Sequence, residues 1–272
     1  MNDAVERHYA IGDLAGKIAA SLRAAGKDLA RLTTEDLAAY DEFHVRGRSA
    51  TLDLARGMEL RPECKVLDMG SGLGGPARAL AETYGCTVVG IDLSTEFCNT
   101  ANELSRWLGL SASVTFVQGD ATAFPYEGGA FDAAMTIHAS MNIAAKGAAY
   151  AGVHRALKPG RIFAVYDILQ GEGGEVLYPV PWARDPSISH LVTAAEMREL
   201  LVGAGFRILE EIDSTEASTT WFQKTAARTV KSGATPAGLG QFLDSDAAPM
   251  TANQVRNLAE RRIRTVTYFC RS

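Results

Sequence analysis

The pattern of hydrophobic and polar positions changes near residue 65 of this 272-residue chain. Before that point, apolar residues recur at steps of three and four, which predicts helices over residues 13–26, 33–43 and 48–58. Gly26 follows the first of them, as expected for a helix that ends in a glycine, and Thr34 with the two acids after it is typical of an N-cap. The amino-terminal part is therefore predicted to be helical.

From residue 65 onward, short apolar runs alternate with amphipathic stretches. The helical stretches are 75–85, 95–109, 145–157 and 193–205. The apolar runs predict seven strands, over 65–69, 86–93, 113–120, 131–139, 160–169 (after a turn at 157–160), 206–213 and 265–270. This alternation predicts an α/β fold with a doubly wound, seven-stranded, mostly parallel sheet that binds ligands at the carboxyl ends of its strands.

Two long segments interrupt the alternation. One is the Gly- and Pro-rich stretch at about 170–192, and the other runs from about 214 to 262 and is partly helical in pattern. Connections of this length in a compact domain are usually lids or binding elements. We therefore predict an N-terminal helical cap over residues 1–60 and a second domain over 61–272 that carries two lid insertions.

Composition excludes several classes of function. The net charge of −5 argues against nucleic acid as a partner, because a phosphate backbone requires a basic face. The apolar runs are too short to span a membrane, and the first twenty residues lack the apolar core of a secretory signal. Four scattered cysteines and five histidines show no metal-ligand spacing. We expect a cytoplasmic protein without a bound metal, with a homodimer left open.

The first strand leads into a glycine-rich turn. Gly70, Gly72 and Gly75 spell G-x-G-x-x-G between a strand and a helix, and Asp92 follows 22 residues after Gly70 at the end of the second strand. Such a turn lets a ligand approach the backbone, and an acid at the second strand can accept hydrogen bonds from both ribose hydroxyls. The turn therefore predicts a site for a nucleoside-containing cofactor.

Asp68 decides between the cofactors that this turn could hold. It stands two residues before Gly70, where its carboxylate would repel the two phosphates of a nicotinamide dinucleotide. A ligand with an ammonium group and no phosphate would instead be attracted. S-adenosylmethionine, with an adenosine ribose, an ammonium and a carboxylate, meets both conditions.

The motifs also resemble a known family. Residues 66–75 (VLDMGSGLGG), 88–94 (VVGIDLS), 117–126 (VQGDATAFPY) and 157–167 (LKPGRIFAVYD) are similar, in order and spacing, to motifs of the class I S-adenosylmethionine-dependent methyltransferases. The resemblance implies that the product is S-adenosylhomocysteine. It also implies that the following residues bind the cofactor: Tyr9, His44, Asp68, Gly70, Ser71, Gly72, Gly74, Asp92, Leu93, Asp120, Ala121 and His138.

A more specific resemblance concerns the methyl acceptor. Residues 39–55, 137–146 and 178–193 resemble the small-molecule N-methyltransferases of the sarcosine/dimethylglycine type, which implies in-line methyl transfer to a small soluble amine. Relatives of those enzymes methylate isoprenoid and sterol-like acceptors. C- or O-methylation of an apolar or aromatic acceptor is therefore the alternative.

Residues at strand ends and in the insertions are candidates for the chemistry. His138, at the end of the fourth strand, and Tyr166, near the end of the fifth, are the predicted catalytic residues. The predicted acceptor-binding residues are Met141, Asn142, Trp182, Arg184, Trp221 and Phe222. Trp182 could support a cationic methyl centre by cation–π attraction.

One criterion separates the two acceptor classes. An acceptor with a carboxylate, such as sarcosine, requires an arginine in the pocket, and Arg48 and Arg184 are the available candidates. A pocket without such an arginine would favour an apolar acceptor. Two other functions stay open: an NAD(P)-dependent oxidoreductase, and a binding module on a methyltransferase-like fold that has lost activity.

Overall fold

The computed structural model describes residues 2–123, 126, 128–232 and 247–272. Part of the third motif, at 124–125, and part of the second predicted insertion, at 233–246, lie outside the described residues.

A seven-stranded sheet forms the centre of the molecule, with strand order β3-β2-β1-β4-β5-β7-β6. Strands β1 to β5 pair in parallel, and β7 is antiparallel to both β5 and β6. The strands are β1 (Lys65–Met69), β2 (Thr87–Asp92), β3 (Val114–Gln118), β4 (Phe131–Ile137), β5 (Leu157–Gln170), β6 (Arg207–Asp213) and β7 (Ile263–Arg271). This is the Rossmann-like methyltransferase fold, so the predicted α/β class and strand number are confirmed.

Helices cover both faces of the sheet, because alternate residues of each strand point to opposite layers. In β1, for example, Val66 packs into one apolar cluster and its neighbour Leu67 into another. The helices are α1 (Asn2–Tyr9), α2 (Leu14–Ala24), α3 (Thr34–Asp41), α4 (Gly47–Arg56), α5 (Gly75–Tyr84), α6 (Thr95–Trp107), α7 (Lys146–Ala156), α8 (Ala194–Gly203), α9 (Thr215–Ser232) and α10 (Ala247–Ala259).

The N-terminal cap is shorter than the predicted 1–60. Helices α2 and α3 form one cluster with the glycine loop and α6, in which Ile18 and Leu37 pack near Leu73 and Phe97. Helix α4 instead packs on one face of the sheet, where Leu54 belongs to the apolar cluster that contains residues of β1 and α5. The cap therefore consists of α1–α3, and α4 belongs structurally to the sheet.

Two local predictions differ from the structure. The N-cap of α3 is Thr33 rather than Thr34, because Thr33 and Asp36 form a reciprocal capping box. The turn predicted before the fifth strand is an irregularity inside β5: Leu157 pairs with Phe131, and pairing resumes only at Ile162. Among the described residues, no helix is both long and apolar enough to cross a membrane.

Candidate functional site

A cavity of about 380 Å³ opens at the carboxyl ends of β1, β2 and β4, beneath α1 and the loop that follows β5. Parallel α/β sheets bind ligands at this edge, where the strand order reverses between β1 and β4. Fourteen of the residues predicted from the sequence line this cavity: Tyr9, His44, Asp68, Gly70, Ser71, Gly72, Asp92, Leu93, Asp120, Ala121, His138, Met141, Asn142 and Trp182.

The glycine loop is fastened to the end of β2. The amides of Gly70 and Ser71 donate to the Ile91 carbonyl at 2.8 and 3.0 Å, respectively. Gly70 has a φ of +75°, and a Cβ at this position would lie 2.2 Å from the Cβ of Ala139. A glycine is therefore required here for the loop after β4 to pack against the loop after β1.

Asp68 presents an unsatisfied carboxyl group to the cavity. Its side chain is buried, and its Oδ2 has no hydrogen-bond partner among the described residues. Burial, and then the nearby charge of Asp92, raise the pKa of Asp68 to about 8. The hydroxyl of Ser71, in the same wall, is likewise buried without a partner. Buried polar atoms of this kind normally have partners, so these two point to a polar ligand group.

Asp92 is oriented by the backbone around it. Its Oδ2 accepts a 2.8 Å hydrogen bond from the Gly72 amide, and its Oδ1 accepts one of 2.9 Å from the Ser94 amide. Burial nevertheless raises the pKa of this carboxyl above its ordinary value. Each oxygen keeps a second lone pair, so the group can accept two further hydrogen bonds from a diol.

Asp120 lies at the third wall of the cavity, after β3. One of its oxygens accepts hydrogen bonds of 2.7 Å from both the amide and the hydroxyl of Thr122. This contact orients the carboxyl group at the turn, next to Ala121, which also lines the cavity.

His138 directly follows β4 and has a strained backbone conformation, with a φ of +47°. Its amide donates to the Tyr166 carbonyl at 2.9 Å, and its ring lies 4.7 Å from the Tyr166 ring and 6.0 Å from the His44 ring, between centroids. Its Nε2 is buried without a partner. Burial, and then the His44 ring, hold the pKa of His138 well below its ordinary value, so the imidazole is neutral at pH 7.

His44 is held in the wall by its own neighbours. Its Nε2 lies 3.0 Å from the Gly47 carbonyl oxygen and 3.2 Å from the Thr51 hydroxyl. Burial is the main cause that lowers the pKa of His44 to about 4. Both histidines of the site are therefore uncharged at neutral pH.

The part of the cavity over β4 and β5 is mostly apolar. No lysine or arginine occurs among the described residues that line the cavity. Arg48 is bonded instead to Glu42 at 2.6 Å and to Thr34 at 2.9 Å. The apolar and aromatic residues that line this part are Val5, Phe43, Ile137, Met141, Ile143, Ile168, Pro181 and Trp182.

Five predicted site residues do not line the cavity. Gly74 is the N-cap residue of α5. A Cβ at this position would lie 2.2 Å from the Phe116 ring, so a glycine here allows the helix to pack against β3. Tyr166 is 1% exposed beneath His138, and its hydroxyl donates to the Val45 carbonyl at 3.3 Å. Tyr166 therefore lies behind His138 and not at the cavity wall, so the structure does not place it where a catalytic residue would contact the substrate.

The other three residues were predicted to contact the acceptor. Arg184 is exposed at the surface, whereas Trp182, two positions before it in the loop after β5, is buried. Trp221 lines a separate surface depression with Lys224. Phe222 packs against the far side of the apolar cluster that contains Trp182. None of them reaches the cavity wall, so direct acceptor contact is not expected of them.

The structure adds cavity residues that the sequence analysis did not single out. Helix α1, which was not predicted, contributes Val5 and Glu6, and α3 and the turn after it contribute Asp41 and Phe43. From α10, Gln254 reaches the cavity. The signal for Gln254 was present in the sequence, as a glutamine in an otherwise apolar stripe. Among the described residues, no group of three or more His, Cys, Asp or Glu side chains is arranged to hold a metal ion.

Comparison with known proteins agrees with this geometry. Residues 66–160 match the family model described as a methyltransferase domain. The sterol 24-C-methyltransferase of Schizosaccharomyces pombe is 30% identical over 171 residues, which cover 60% of this chain and 45% of that protein. The chain thus spans less than half the length of this relative.

Solved structures share the fold. Phosphoethanolamine N-methyltransferase 2 of Haemonchus contortus, in complex with S-adenosyl-L-methionine, superposes with a TM-score of 0.73 at 21% identity, covering 88% of this chain and 57% of that one. A putative sarcosine dimethylglycine methyltransferase of Galdieria sulphuraria gives a TM-score of 0.67 at 18% identity, covering 93% and 97%, respectively. Residues 66–160 therefore match a methyltransferase domain, and the chain has the Rossmann-like methyltransferase fold.

Proposed function

We propose that this methyltransferase domain transfers a methyl group from S-adenosylmethionine to a carbon atom of an apolar acceptor. The observation that carries the proposal is one continuous cavity. It joins buried acids suited to the cofactor to an apolar chamber without a lysine or arginine among its described lining residues.

The residues present fit S-adenosylmethionine. The unpartnered Oδ2 of Asp68 and the hydroxyl of Ser71 suit its ammonium and carboxylate groups, respectively. Asp92 suits the ribose hydroxyls, while Asp120 and Ala121 suit the adenine edge. When bound, the cofactor supplies an activated methyl group on a sulfonium. A nicotinamide dinucleotide would instead bring two phosphates to a wall formed by Asp68 and Asp92.

The charge of the cavity supports an apolar acceptor over the amine predicted from the sequence. Its described lining residues include Glu6, Asp41, Asp68, Asp92 and Asp120 but no lysine or arginine. An acceptor with a carboxylate or phosphate would enter without a partner for its charge, which is costly in a buried site. The sterol methyltransferase relatives support the same choice of an apolar carbon acceptor.

His138 is proposed as the proton acceptor. Addition of a methyl group to a carbon–carbon double bond leaves a positive charge on the acceptor, and loss of a neighbouring C–H proton restores the double bond. The neutral imidazole, with its unpartnered Nε2 at the cavity wall, can take that proton. Trp182, in the same wall, can stabilise the transient charge through its ring face.

The remaining contribution of the protein is positioning. In-line displacement requires the acceptor carbon, the methyl carbon and the sulfur on one line, and holding two reactants in that geometry can supply about 7–11 kcal/mol of barrier reduction. The cap and the loop after β5 cover part of the cavity and so limit the access of water.

The experiment measures S-adenosylhomocysteine release by the purified protein with a panel of acceptors. The panel contains a sterol with a side-chain double bond, geraniol, sarcosine, dimethylglycine, phosphoethanolamine and geranyl diphosphate. We expect turnover with an uncharged alkene and none with the charged molecules. Turnover restricted to sarcosine or dimethylglycine would replace this proposal with the amine acceptor.

Two further outcomes separate the other functions. Cofactor binding without turnover of any acceptor would favour a binding module on this fold. Stronger thermal stabilisation by NAD(P) than by S-adenosylmethionine would favour an oxidoreductase.

A further inference from the structure

Helix α10 buries four residues, Met250, Gln254, Asn257 and Leu258, and two of them are polar. Met250, Gln254 and Leu258 follow each other at steps of four, so they lie on one face of the helix, and all three are buried. Leu258 packs in the apolar cluster that contains Ile168 and Trp182. The other buried polar residue, Asn257, bonds to the backbone of Leu177, so Gln254 is the one of the two that calls for an explanation.

The side chain of Gln254 lines the cavity and has no hydrogen-bond partner among the described residues. The residue is only 7% exposed, it lines the cavity, and no hydrogen bond joins its side chain to another described residue. Burial of an amide without a hydrogen bond is unfavourable, and most buried side-chain amides have a partner. A ligand group in the cavity would supply that partner.

Gln254 lies on the acceptor side of the cavity. Helix α10 packs against β7, on the opposite side of β5 and β4 from the acids of β1 and β2. Its neighbours on the helix bind the loop after β5: Asn253 donates to the Pro179 carbonyl at 3.0 Å, and Asn257 bonds to the backbone of Leu177. Gln254 therefore lines the cavity from the side of β7 and the loop after β5, away from the residues suited to the cofactor.

Two other neutral polar groups on this side are already engaged. Asn142 accepts from Tyr9 and donates to two carbonyl groups. The indole N–H of Trp182 donates to the Ser189 hydroxyl at 2.9 Å. Gln254 thus offers the acceptor chamber both a hydrogen-bond donor and a hydrogen-bond acceptor that the protein itself does not use.

We propose that Gln254 is a specificity-determining residue that recognises a neutral oxygen group of the acceptor, a hydroxyl or a carbonyl. The inference rests on the proposed function and deepens it: the acceptor is an apolar molecule that bears one such group, not a pure hydrocarbon. An uncharged group fits because no lysine or arginine among the described lining residues faces the chamber to compensate a negative charge. The amide partner also sets the orientation in which the acceptor enters.

The experiment compares matched ligands by titration calorimetry in the presence of S-adenosylhomocysteine. The ligands are geraniol and a sterol with a side-chain double bond, each beside its deoxy analogue. Gln254→Met keeps the length of the side chain and removes both hydrogen-bonding groups. Gln223→Met makes the same change at an exposed position of α9 and is the control. Gln254→Glu, a second variant, keeps an acceptor for a hydroxyl but loses the donor that a carbonyl needs.

The wild-type protein and Gln223→Met should bind an alcohol about tenfold more tightly than its deoxy analogue, the size expected for one well-formed hydrogen bond. Gln254→Met should lose this preference while its affinity for S-adenosylhomocysteine stays unchanged. The inference is overturned if Gln254→Met still binds the alcohol more tightly than its deoxy analogue. It is also overturned if the wild-type protein shows no such preference. If none of the four ligands binds the wild type, the apolar-acceptor proposal itself fails, and the inference with it.

Discussion

The hydroxyl of Tyr9 donates a 3.0 Å hydrogen bond to Oδ1 of Asn142, a residue 133 positions further along the chain. The amide nitrogen of Asn142 donates in turn to the carbonyl groups of Trp182 and Ile188, both at 2.9 Å. One side chain therefore joins the first helix, the loop after β4 and the loop after β5. These are the elements that cover the cavity.

Removal of this junction should loosen the cover of the cavity. Asn142→Ala loses three hydrogen bonds, and Tyr9→Phe loses only one of them. We expect Asn142→Ala to weaken S-adenosylhomocysteine binding about tenfold and Tyr9→Phe to have a smaller effect, because a net hydrogen bond contributes roughly 0.5–1.5 kcal/mol. Calorimetry measures both affinities.

Hydrogen exchange provides the structural readout for the same variants. Backbone amides in residues 178–192 should exchange faster in Asn142→Ala than in the wild type, while those of β1 and β4 should be unchanged. Equal exchange of residues 178–192 in the two proteins would contradict the role of Asn142 as a junction.

Asp68 should dominate the affinity for the cofactor. Asp68→Asn keeps the shape of the side chain but removes the charge that an ammonium group would meet. We expect a loss of about 10- to 100-fold in affinity for S-adenosylmethionine, because charge-assisted hydrogen bonds contribute about 1.5–3 kcal/mol. Glu210→Gln, which removes a charge from the exposed face of β6, is the control and should bind as the wild type does.

Cofactor binding should release a proton through Asp68. Burial, with the charge of Asp92, raises the pKa of Asp68 to about 8, so the free protein holds this carboxyl protonated at pH 7. An ammonium group beside it favours the carboxylate and lowers that pKa. Affinity for S-adenosylhomocysteine should therefore rise with pH up to about 8, and calorimetry in buffers of different ionisation enthalpy should detect proton release at pH 7.

The same carboxyl links the stability of the free protein to pH. The folded protein holds the proton of Asp68 between its ordinary pKa of 3.8 and about 8, whereas the unfolded chain releases it. The contribution of Asp68 to stability therefore falls as pH rises through this range. Asp68→Asn should flatten the pH dependence of urea denaturation between pH 4 and 8, and an unchanged slope would count against a protonated Asp68.

Loss of His138 should remove the base of the reaction. His138→Gln keeps a polar side chain but cannot accept a proton, and we expect turnover to fall by about 10²- to 10⁴-fold with little change in cofactor affinity. Burial, and then His44, hold the pKa of His138 well below 6.5. The wild-type rate should therefore stay constant from pH 8 to below pH 6.5 and decline only in more acidic buffer. A full-rate His138→Gln variant would exclude it as the base.

A buried ion pair should hold the cap to the sheet domain. Arg78 of α5 binds Asp41 of α3 at 2.7 Å, and both side chains are at most 2% exposed. Asp41→Asn leaves the guanidinium buried without a counter-charge, which costs about 3–5 kcal/mol of unfolding free energy. Denaturant titration measures the loss. Glu103→Gln, which removes an exposed pair with Arg106 on α6, should have little effect.

The amino-acid sequence determined much of the fold and of the cofactor side of the site. The periods of apolar residues identified all seven strands, because each buried strand is a local pattern. The acids Asp68, Asp92 and Asp120 were identified for the same reason, since each stands at or just beyond the carboxyl end of a strand, at the ligand edge of a parallel sheet.

The acceptor side depended on the tertiary structure. It is assembled from α1, the loops after β4 and β5, and α10, and the direction of each side chain there is set by contacts between residues far apart in sequence. Trp182 turns inward while Arg184, two positions away, is exposed, and no local pattern distinguishes the two. The expected amine acceptor depended on an arginine in the cavity, and only the packed structure showed that Arg48 is bonded elsewhere. The sequence thus located the cavity residues that suit a nucleoside, because they stand on local strand ends. Long-range packing decided that no lysine or arginine lies in the described cavity wall, and the proposed acceptor class rests on that observation.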